Sequence, residues 1–254
     1  RYHDAIPLYR RLLESNPDDL DILATLARDL LAVGEDDGAL KIWADLARIS
    51  PDSKSVYRSM MELLIRLDRR EELVHVLAQI NKQDPNDVEV ALRLAFVLLA
   101  DGKVKEAEGV FLPVAANEIT DLSLLEMRAK IFEGLRMPEH ALKDYMAISA
   151  TGDERPELRL KCLEIAAALG RRQLAATYLA VFLSGKPGVE EILRAANGFR
   201  DGCDYDMAHS LYQELLEKST DPEIRSRILL QLAVSYEQQN LSFEVEQVLR
   251  IALL

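Results

Sequence analysis

The chain has 254 residues and a formal net charge of −12, and 49% of its residues are hydrophobic while 29% are charged. This balance, with only 11 Gly and 9 Pro, is typical of a globular protein rich in helix formers. The acidic charge argues against nucleic-acid binding, and the lack of any run of about 18 apolar residues predicts no direct membrane insertion by this segment.

Residues 1–16 form an amphipathic pattern, which predicts a single helix at the start of the chain. Because the sequence begins on an arginine and ends inside another helical pattern, we expect it to be a piece of a longer protein. After residue 16 a two-helix pattern recurs seven times. The predicted units start near residues 20, 54, 88, 122, 156, 189 and 226.

The repeat is visible in the prolines, since Pro17, Pro51 and Pro85 are 34 residues apart. A small residue recurs at about the same interval in the second helix of most units, at Ala5, Ala39, Ala107, Ala141, Ala175 and Ala208. A large apolar residue follows each of these by four positions, at Tyr9, Trp43, Phe111, Tyr145, Leu179 and Tyr212. Trp43, the only tryptophan, is therefore predicted to be a packing residue rather than a ligand anchor.

We number positions in each unit from the first residue of its first helix. Positions 4, 7, 8 and 11 form one apolar stripe of that helix, which in the first unit is Leu23, Leu26, Ala27 and Leu30. Turn signals follow at Gly34, Asp68, Gly102, Arg136, Gly170, Cys203 and Asn240. Arg128 and Arg159 occupy stripe positions, so we expect the weakest packing and local fraying around residues 122–166.

This 34-residue helix–turn–helix pattern resembles the tetratricopeptide repeat (TPR). The TPR family places a small residue at position 8, Ala at 20, an aromatic residue at 24 and Pro at 32. In the best-matching unit these are Ala27, Ala39, Trp43 and Pro51, whereas position 8 departs from the pattern in two other units, at Met61 and Leu163. The resemblance covers essentially the whole chain and implies an all-α fold, a right-handed superhelical solenoid of about seven and a half repeats forming one domain over residues 1–254.

The resemblance also implies a non-enzymatic scaffold that holds a peptide or partner protein on the concave face lined by the first helices. Its long, degenerate and acidic repeats resemble those of bacterial TPR proteins. Helical geometry points positions 2, 9 and 13 away from the stripe and places 5 and 12 at its border. The candidate partner-binding residues are Arg28, Leu31, Arg58, Glu62, Ile65, Arg66, Leu92, Phe96, Leu99 and Lys130. The apolar members form either a pocket for a partner side chain or half-buried core, and Phe96 at the outward position 9 is the strongest candidate.

Several alternatives stay open. The chain could be the periplasmic TPR region of a bacterial protein for exopolysaccharide export or outer-membrane assembly, or a cytoplasmic adaptor. An RNA-binding helical repeat is disfavoured by the acidic charge, and an enzyme would need a catalytic domain outside these residues. The C-terminal carboxylate clamp of some TPR domains is not matched, because Ala24, Ser59 and Glu89 stand at clamp positions.

No cofactor, metal site or catalytic group is predicted, since the four histidines are dispersed and the two cysteines form no metal-binding pair. The two ends carry apolar faces that could cause self-association of this segment. These faces are Tyr2, Ile6 and Tyr9 at one end and Val248, Leu249 and Ala252 at the other.

Overall fold

A computed structural model describes residues 2–153 and 155–252, and over these residues it contains fifteen α-helices and no strand. The all-α prediction is therefore confirmed. The chain divides into two compact units, which we call unit 1 (residues 1–119) and unit 2 (residues 120–254). The continuity of the solenoid across both units stays a prediction.

Unit 1 consists of a single helix followed by three helix pairs. The helices are α1 (Tyr2–Ser15), α2 (Leu20–Ala32), α3 (Asp36–Ile49), α4 (Lys54–Arg66), α5 (Arg70–Gln83), α6 (Val88–Ala100) and α7 (Val104–Phe111). Each first helix, α2, α4 or α6, packs on its own second helix and on the second helix of the preceding repeat. Helix α7 ends early because Pro113 has no N–H group to continue it, and the chain turns instead, with the Val114 N–H donating to the Phe111 carbonyl at 3.0 Å.

Unit 2 consists of four helix pairs. The helices are α8 (Leu122–Gly134), α9 (Pro138–Ala150), α10 (Pro156–Ala168), α11 (Arg172–Ser184), α12 (Val189–Asp201), α13 (Tyr205–Lys218), α14 (Pro222–Gln238) and α15 (Ser242–Ala252). The pattern placed the last unit near residue 226, but α14 begins one turn earlier. The reason is the Asp221 carboxylate, which accepts a hydrogen bond from the Glu223 N–H at 2.9 Å and caps the helix ahead of Pro222.

The core follows the stripe of the first helices and the small residues of the second helices. Ala27 and Ala39 have no exposed surface, so α2 and α3 approach closely. Trp43 is only 6% exposed and fills the space beside them, as expected of a packing residue. Its equivalents are buried in the following repeats at Leu77, Phe111, Tyr145, Leu179 and Tyr212.

The turns between the paired helices share one conformation. All seven expected turn residues have a positive φ: Gly34 (82°), Asp68 (53°), Gly102 (75°), Arg136 (57°), Gly170 (66°), Cys203 (60°) and Asn240 (60°). A left-handed residue turns the chain so that the next N–H can reach a carbonyl at the end of the helix. The Glu35 N–H, for example, donates to the Leu30 carbonyl at 2.9 Å. Glycine adopts this conformation without strain, whereas the Cβ atom of Arg136 makes the same conformation strained.

Arg128 is not the packing defect that its stripe position suggested. Its Nε and terminal nitrogen donate to the two carboxylate oxygens of Asp144 at 2.8 and 2.7 Å. The side chains of the two residues are only 13% and 4% exposed. A buried, bidentate pair satisfies the guanidinium group, so the reason for expecting fraying at Arg128 does not hold. Arg159 is half-buried and lines a cavity.

Candidate functional site

The first helices of unit 1 carry large apolar side chains at positions where a repeat does not need them for its core. Ile65 on α4 and Phe96 on α6 are each 40% exposed. Leu31 on α2 and Leu99 on α6 are half-buried. We call these four residues the apolar set. The exposure of Ile65 and Phe96 favours the interpretation that they contact a partner. Leu31 and Leu99 are half-buried, which fits both a pocket for a partner side chain and half-buried core.

Leu92 does not belong to this surface. It has no exposed area and lies in the core with Val90 and Ala91. Helix α6 is apolar around most of its circumference, so its position 5 is buried rather than at a border facing solvent. The prediction that Leu92 contacts a partner is therefore wrong.

Two of the three arginines near the apolar set are tied to carboxylates of neighbouring helices. Arg58 donates to Asp87, the residue that caps α6. Arg66 donates to Asp36 at the start of α3 at 2.6 Å. These exposed pairs hold neighbouring repeats in register and contribute little stability each.

Arg28 differs from the other two arginines. It donates to the Ala24 carbonyl at 3.3 Å and to the Thr25 hydroxyl at 3.4 Å, both on its own helix. Over the residues that the structure describes, no carboxylate pairs with it, and its side chain is exposed. Glu62 on α4 is exposed as well. Among the arginines of α2, α4 and α6, Arg28 is therefore the one best placed to meet a negative group of a partner.

Lys130 lies in unit 2 and belongs to a different kind of surface. Its ammonium group pairs with Glu126 at 2.8 Å, four residues earlier on α8. The Lys130 hydrogen bond lowers the pKa of the Glu126 carboxyl group, and Arg155 at 2.9 Å adds to the effect. Both charges of Lys130 and Glu126 are thus satisfied inside unit 2.

The first helices of unit 2 are joined by polar side chains, which we call the polar ladder. Glu133 on α8 accepts from Lys161 on α10 at 2.7 Å, and Glu164 on α10 pairs with Arg194 on α12 at 2.7 Å. Arg200 on α12 donates to Gln231 on α14 at 2.6 Å. The ladder recurs because a side chain at position 9 or 12 meets position 6 of the next first helix. A groove of about 310 Å³ lies among α8, α10 and α12 and is also lined by Pro138 of α9.

Two second-helix tyrosines connect to this surface. The Tyr145 hydroxyl donates to Glu133 at 2.5 Å, and the Tyr212 hydroxyl donates to Asn197 at 2.6 Å. Burial raises the pKa of Tyr212 to about 12, and burial together with the Glu133 carboxylate raises that of Tyr145. Trp43 holds the same repeat position in unit 1, but its buried indole Nε1 has no hydrogen-bond partner within the described residues. The sequence pattern carried no signal for this difference.

The comparisons with known proteins agree with this architecture. Residues 1–64 match the model of the tetratricopeptide repeat family. No curated protein matches the chain.

Solved structures show the TPR fold beyond residue 64. The structure of YrrB, described as a TPR protein with an unusual peptide-binding site, is 14% identical; the match covers 72% of this chain and 94% of that one with a TM-score of 0.56. A TPR protein from Parabacteroides merdae is 11% identical, with coverage of 91% and 98% and a TM-score of 0.54. MamA from Desulfovibrio magneticus is 18% identical, with coverage of 66% and 94% and a TM-score of 0.52. At such identities the likeness concerns the fold alone.

The remaining chemistry of the described residues is sparse. Over residues 2–153 and 155–252 no group of three or more His, Cys, Asp or Glu residues could hold a metal ion. Burial raises the pKa of the Cys162 thiol to about 11, as expected for a packed, protonated side chain. None of the described helices combines the length and apolar character needed to cross a membrane.

Of the apolar residues expected on the surface at the two ends, some are exposed and others are buried. Ile6 and Val248 are buried, at 5% and 8% exposure, and so belong to the core of their units. Tyr2 is 55% exposed and Leu249 is 38% exposed. Other apolar residues join them on the surface, at Leu8, Leu12, Phe243 and Ile251. Self-association through these ends stays a prediction.

Proposed function

We propose that this TPR chain is a non-enzymatic protein–protein interaction scaffold, and that unit 1 binds a peptide segment of a partner along α2, α4 and α6. The observation that carries the proposal is Phe96, an aromatic side chain that is 40% exposed at an outward position of a first helix. A soluble repeat gains nothing in its own core from an apolar ring at that position. Exposed aromatic residues are frequent anchors of protein interfaces.

The chemistry of the surface indicates the partner's side chains. Phe96 and Ile65 favour a large apolar side chain, which would remove their exposed area from water. Arg28 favours an aspartate or glutamate near that side chain, because a guanidinium group forms strong charge-assisted hydrogen bonds with a carboxylate. The proposed ligand is therefore a short peptide with one large apolar residue and a nearby acidic residue.

RNA binding is the less favoured alternative. A chain with a formal net charge of −12 repels phosphate at long range. In addition, Arg58 and Arg66 already pair with Asp87 and Asp36. The roles in exopolysaccharide export and in outer-membrane assembly stay predictions.

The test uses a random peptide library displayed on phage and selected against the purified chain. We expect the selected peptides to share an apolar residue with Asp or Glu close by. One such peptide is then titrated against Phe96→Ala, and we expect its affinity to fall about tenfold or more, as for an interface anchor. The free energy of unfolding of the variant should stay within about 1 kcal/mol of the wild-type value, since Phe96 is partly exposed.

Val234→Ala supplies the matched control. Val234, on α14 in unit 2, holds position 9 of the last repeat when positions are counted from residue 226, and it is 38% exposed. The substitution therefore trims an apolar side chain of the same repeat position and similar exposure. We expect it to leave peptide affinity unchanged, and Arg28→Glu to weaken binding of acidic peptides more than of neutral ones. Equal affinities of the wild-type and Phe96→Ala chains would overturn the proposed site.

A further inference from the structure

Glu62 is an exposed carboxylate in the middle of the proposed peptide surface, and the proposed function makes no use of it. It holds position 9 of α4, the same repeat position as Arg28 on α2 and Phe96 on α6. Helix α3 packs on both α2 and α4, and α5 packs on both α4 and α6. Position 9 of three consecutive repeats therefore presents a cation, an anion and an aromatic ring, in that order along unit 1.

The cations nearest to Glu62 on its own helix are engaged elsewhere. Arg58 and Arg66 lie four residues before and after it, and so one turn to either side on the same face. Arg58 donates to Asp87, the residue that caps α6. Arg66 donates to Asp36 at the start of α3 at 2.6 Å. Because a carboxylate of another segment neutralises each arginine, the Glu62 charge is left over on this face of α4.

The polar ladder of unit 2 shows which partner Glu62 would have if unit 1 were built in the same way. In unit 2, Glu164 at position 9 of α10 pairs with Arg194 at position 6 of α12 at 2.7 Å. Position 6 of α6 is also an arginine, Arg93, but its Nε donates to Glu89 on its own helix at 2.9 Å. Over residues 2–153 and 155–252, no lysine, arginine or histidine forms an ion pair with Glu62. The carboxylate is therefore available to a partner.

Arg28 is a second charge at position 9 that has no counter-ion among the described residues. Its guanidinium group donates to the Ala24 carbonyl and the Thr25 hydroxyl at 3.3 and 3.4 Å, both on α2, and does not reach Glu62. Two opposite charges thus stand at equivalent positions of neighbouring repeats. Such a pair attracts one order of charges on a partner and repels the reverse order.

From this arrangement, and resting on the peptide surface proposed for unit 1, we propose that the bound segment carries a lysine or arginine between its acidic residue and its large apolar residue. The acidic residue faces Arg28, the basic residue faces Glu62 and the apolar residue faces Phe96. An acidic residue at the middle position would face the Glu62 carboxylate and would be repelled. The surface therefore selects the order of the three side chains and not only their presence.

The test starts from a peptide selected on the wild-type chain that has several residues between its acidic and its large apolar residue. Each intervening position is replaced in turn by Lys, Ala or Glu, and isothermal titration calorimetry measures the affinities. At one position we expect Lys to bind most tightly and Glu most weakly, with about tenfold between them, because attraction and repulsion at a partly exposed pair contribute about threefold each. The difference should shrink in 1 M sodium chloride, where the Debye length falls to about 3 Å.

Variants at residue 62 decide whether this carboxylate is responsible. Glu62→Lys should reverse the ranking, so that the peptide with Glu at the middle position binds most tightly. Glu62→Gln should bring the three peptides to within about twofold of one another. Glu108→Gln, which removes an exposed carboxylate of α7, is the matched control and should keep the wild-type ranking. Since Glu62 is exposed, its variants should keep the wild-type unfolding curve.

Phe96→Ala separates a failure of this inference from a failure of the proposed function. If Phe96→Ala weakens binding while Glu62→Lys leaves the ranking of the peptides unchanged, the peptide surface stands and the role of Glu62 is overturned. If neither substitution changes binding, the peptides bind elsewhere and both proposals are overturned.

Discussion

The first helices of unit 1 and of unit 2 present different surfaces at the same repeat positions. In unit 1 these positions include Ile65 and Phe96, each 40% exposed. In unit 2 they include Glu133 and Glu164, whose carboxylates are bonded to Lys161 and Arg194 of the next first helix. Positions 4, 7, 8 and 11 build the core in both units, so positions 9 and 12 are free to differ. Unit 1 leaves apolar area exposed at these positions, while Glu133 and Glu164 of unit 2 have partners within the unit.

The largest effect is expected from the buried ion pair of unit 2. Arg128→Leu leaves the Asp144 carboxylate, 4% exposed, without the guanidinium group, and should lower the free energy of unfolding by about 3–5 kcal/mol. Guanidinium chloride unfolding followed by circular dichroism measures the loss. The double variant Arg128→Leu, Asp144→Leu should recover most of it, because no buried charge then remains unpaired.

An exposed ion pair of unit 1 provides the control for this prediction. Arg66 and Asp36 are 58% and 28% exposed, and Arg66→Leu should cost less than about 1 kcal/mol. Similar losses of stability for Arg128→Leu and Arg66→Leu would show that burial does not make the Arg128–Asp144 pair more important for stability than the exposed Arg66–Asp36 pair.

A second prediction concerns the close approach of α10 and α12, for which unit 2 uses glycine. A Cβ atom at Gly202 would lie 1.8 Å from the Ala167 carbonyl oxygen. The corresponding positions of unit 1 are Val33, Leu67 and Asp101. Because the obstacle is backbone, Gly202→Ala must separate the two helices and should destabilise the chain by about 1–3 kcal/mol, measured by the unfolding midpoint.

Gly109→Ala in α7 is the matched substitution in unit 1. Nothing lies within 4 Å of a Cβ atom placed there, so the helical alanine should stabilise the chain by about 0.5–1 kcal/mol. The two substitutions should therefore shift the unfolding midpoint in opposite directions, and a shift of the same sign would contradict the structure.

A smaller effect is expected at the left-handed turns. Arg136 in unit 2 has a φ of 57°, so Arg136→Gly should relieve strain and stabilise the chain by about 1 kcal/mol in thermal or denaturant unfolding. Asp68 in unit 1 has a φ of 53°, and Asp68→Gly should gain less, because aspartate tolerates this conformation better than arginine. A loss of stability in Arg136→Gly would mean that the arginine side chain contributes more than its backbone strain costs.

The smallest effect is the pH dependence that arises from His209 in unit 2. Burial lowers the pKa of His209 below its usual 6.5, although Asp206 acts in the opposite direction. The ring lies 2.9 Å from the Ser235 hydroxyl and packs against Tyr236. Since the folded state binds its proton less readily than the unfolded state, this contribution to stability is present above pH 6.5 and is lost as the pH falls through the folded pKa.

Unfolding midpoints between pH 8 and pH 5 check the His209 prediction. His209→Gln should lose less stability on acidification than the wild-type chain does. His75→Gln, at an exposed histidine of unit 1, should follow the wild-type curve. Equal slopes for all three chains would show that His209 has the same proton affinity in the folded and unfolded states.

Much of the fold could be predicted because the repeat is dictated by local chemistry. The positive-φ turns at Gly34 and Arg136, the burial of Trp43 and the exposure of Phe96 all follow from a position within the repeat. Leu92 could not be placed correctly, because its burial depends on how α6 is covered by its neighbours and not on its position in the helix. The start of α14 was placed one turn late because the Asp221 cap extends the helix beyond the apolar pattern.

The sequence by itself determined the helical repeat, its register and the residue types at each outward position, since periodicity and turn residues are local properties. Only the tertiary structure decided which polar groups meet. Asp144 lies 16 residues from Arg128 along the chain, and Lys161 lies 28 residues from Glu133. Whether an arginine at a stripe position is a packing defect or part of a buried ion pair depends on such partners. Helix packing brings those partners within hydrogen-bonding distance, and no local pattern encodes them.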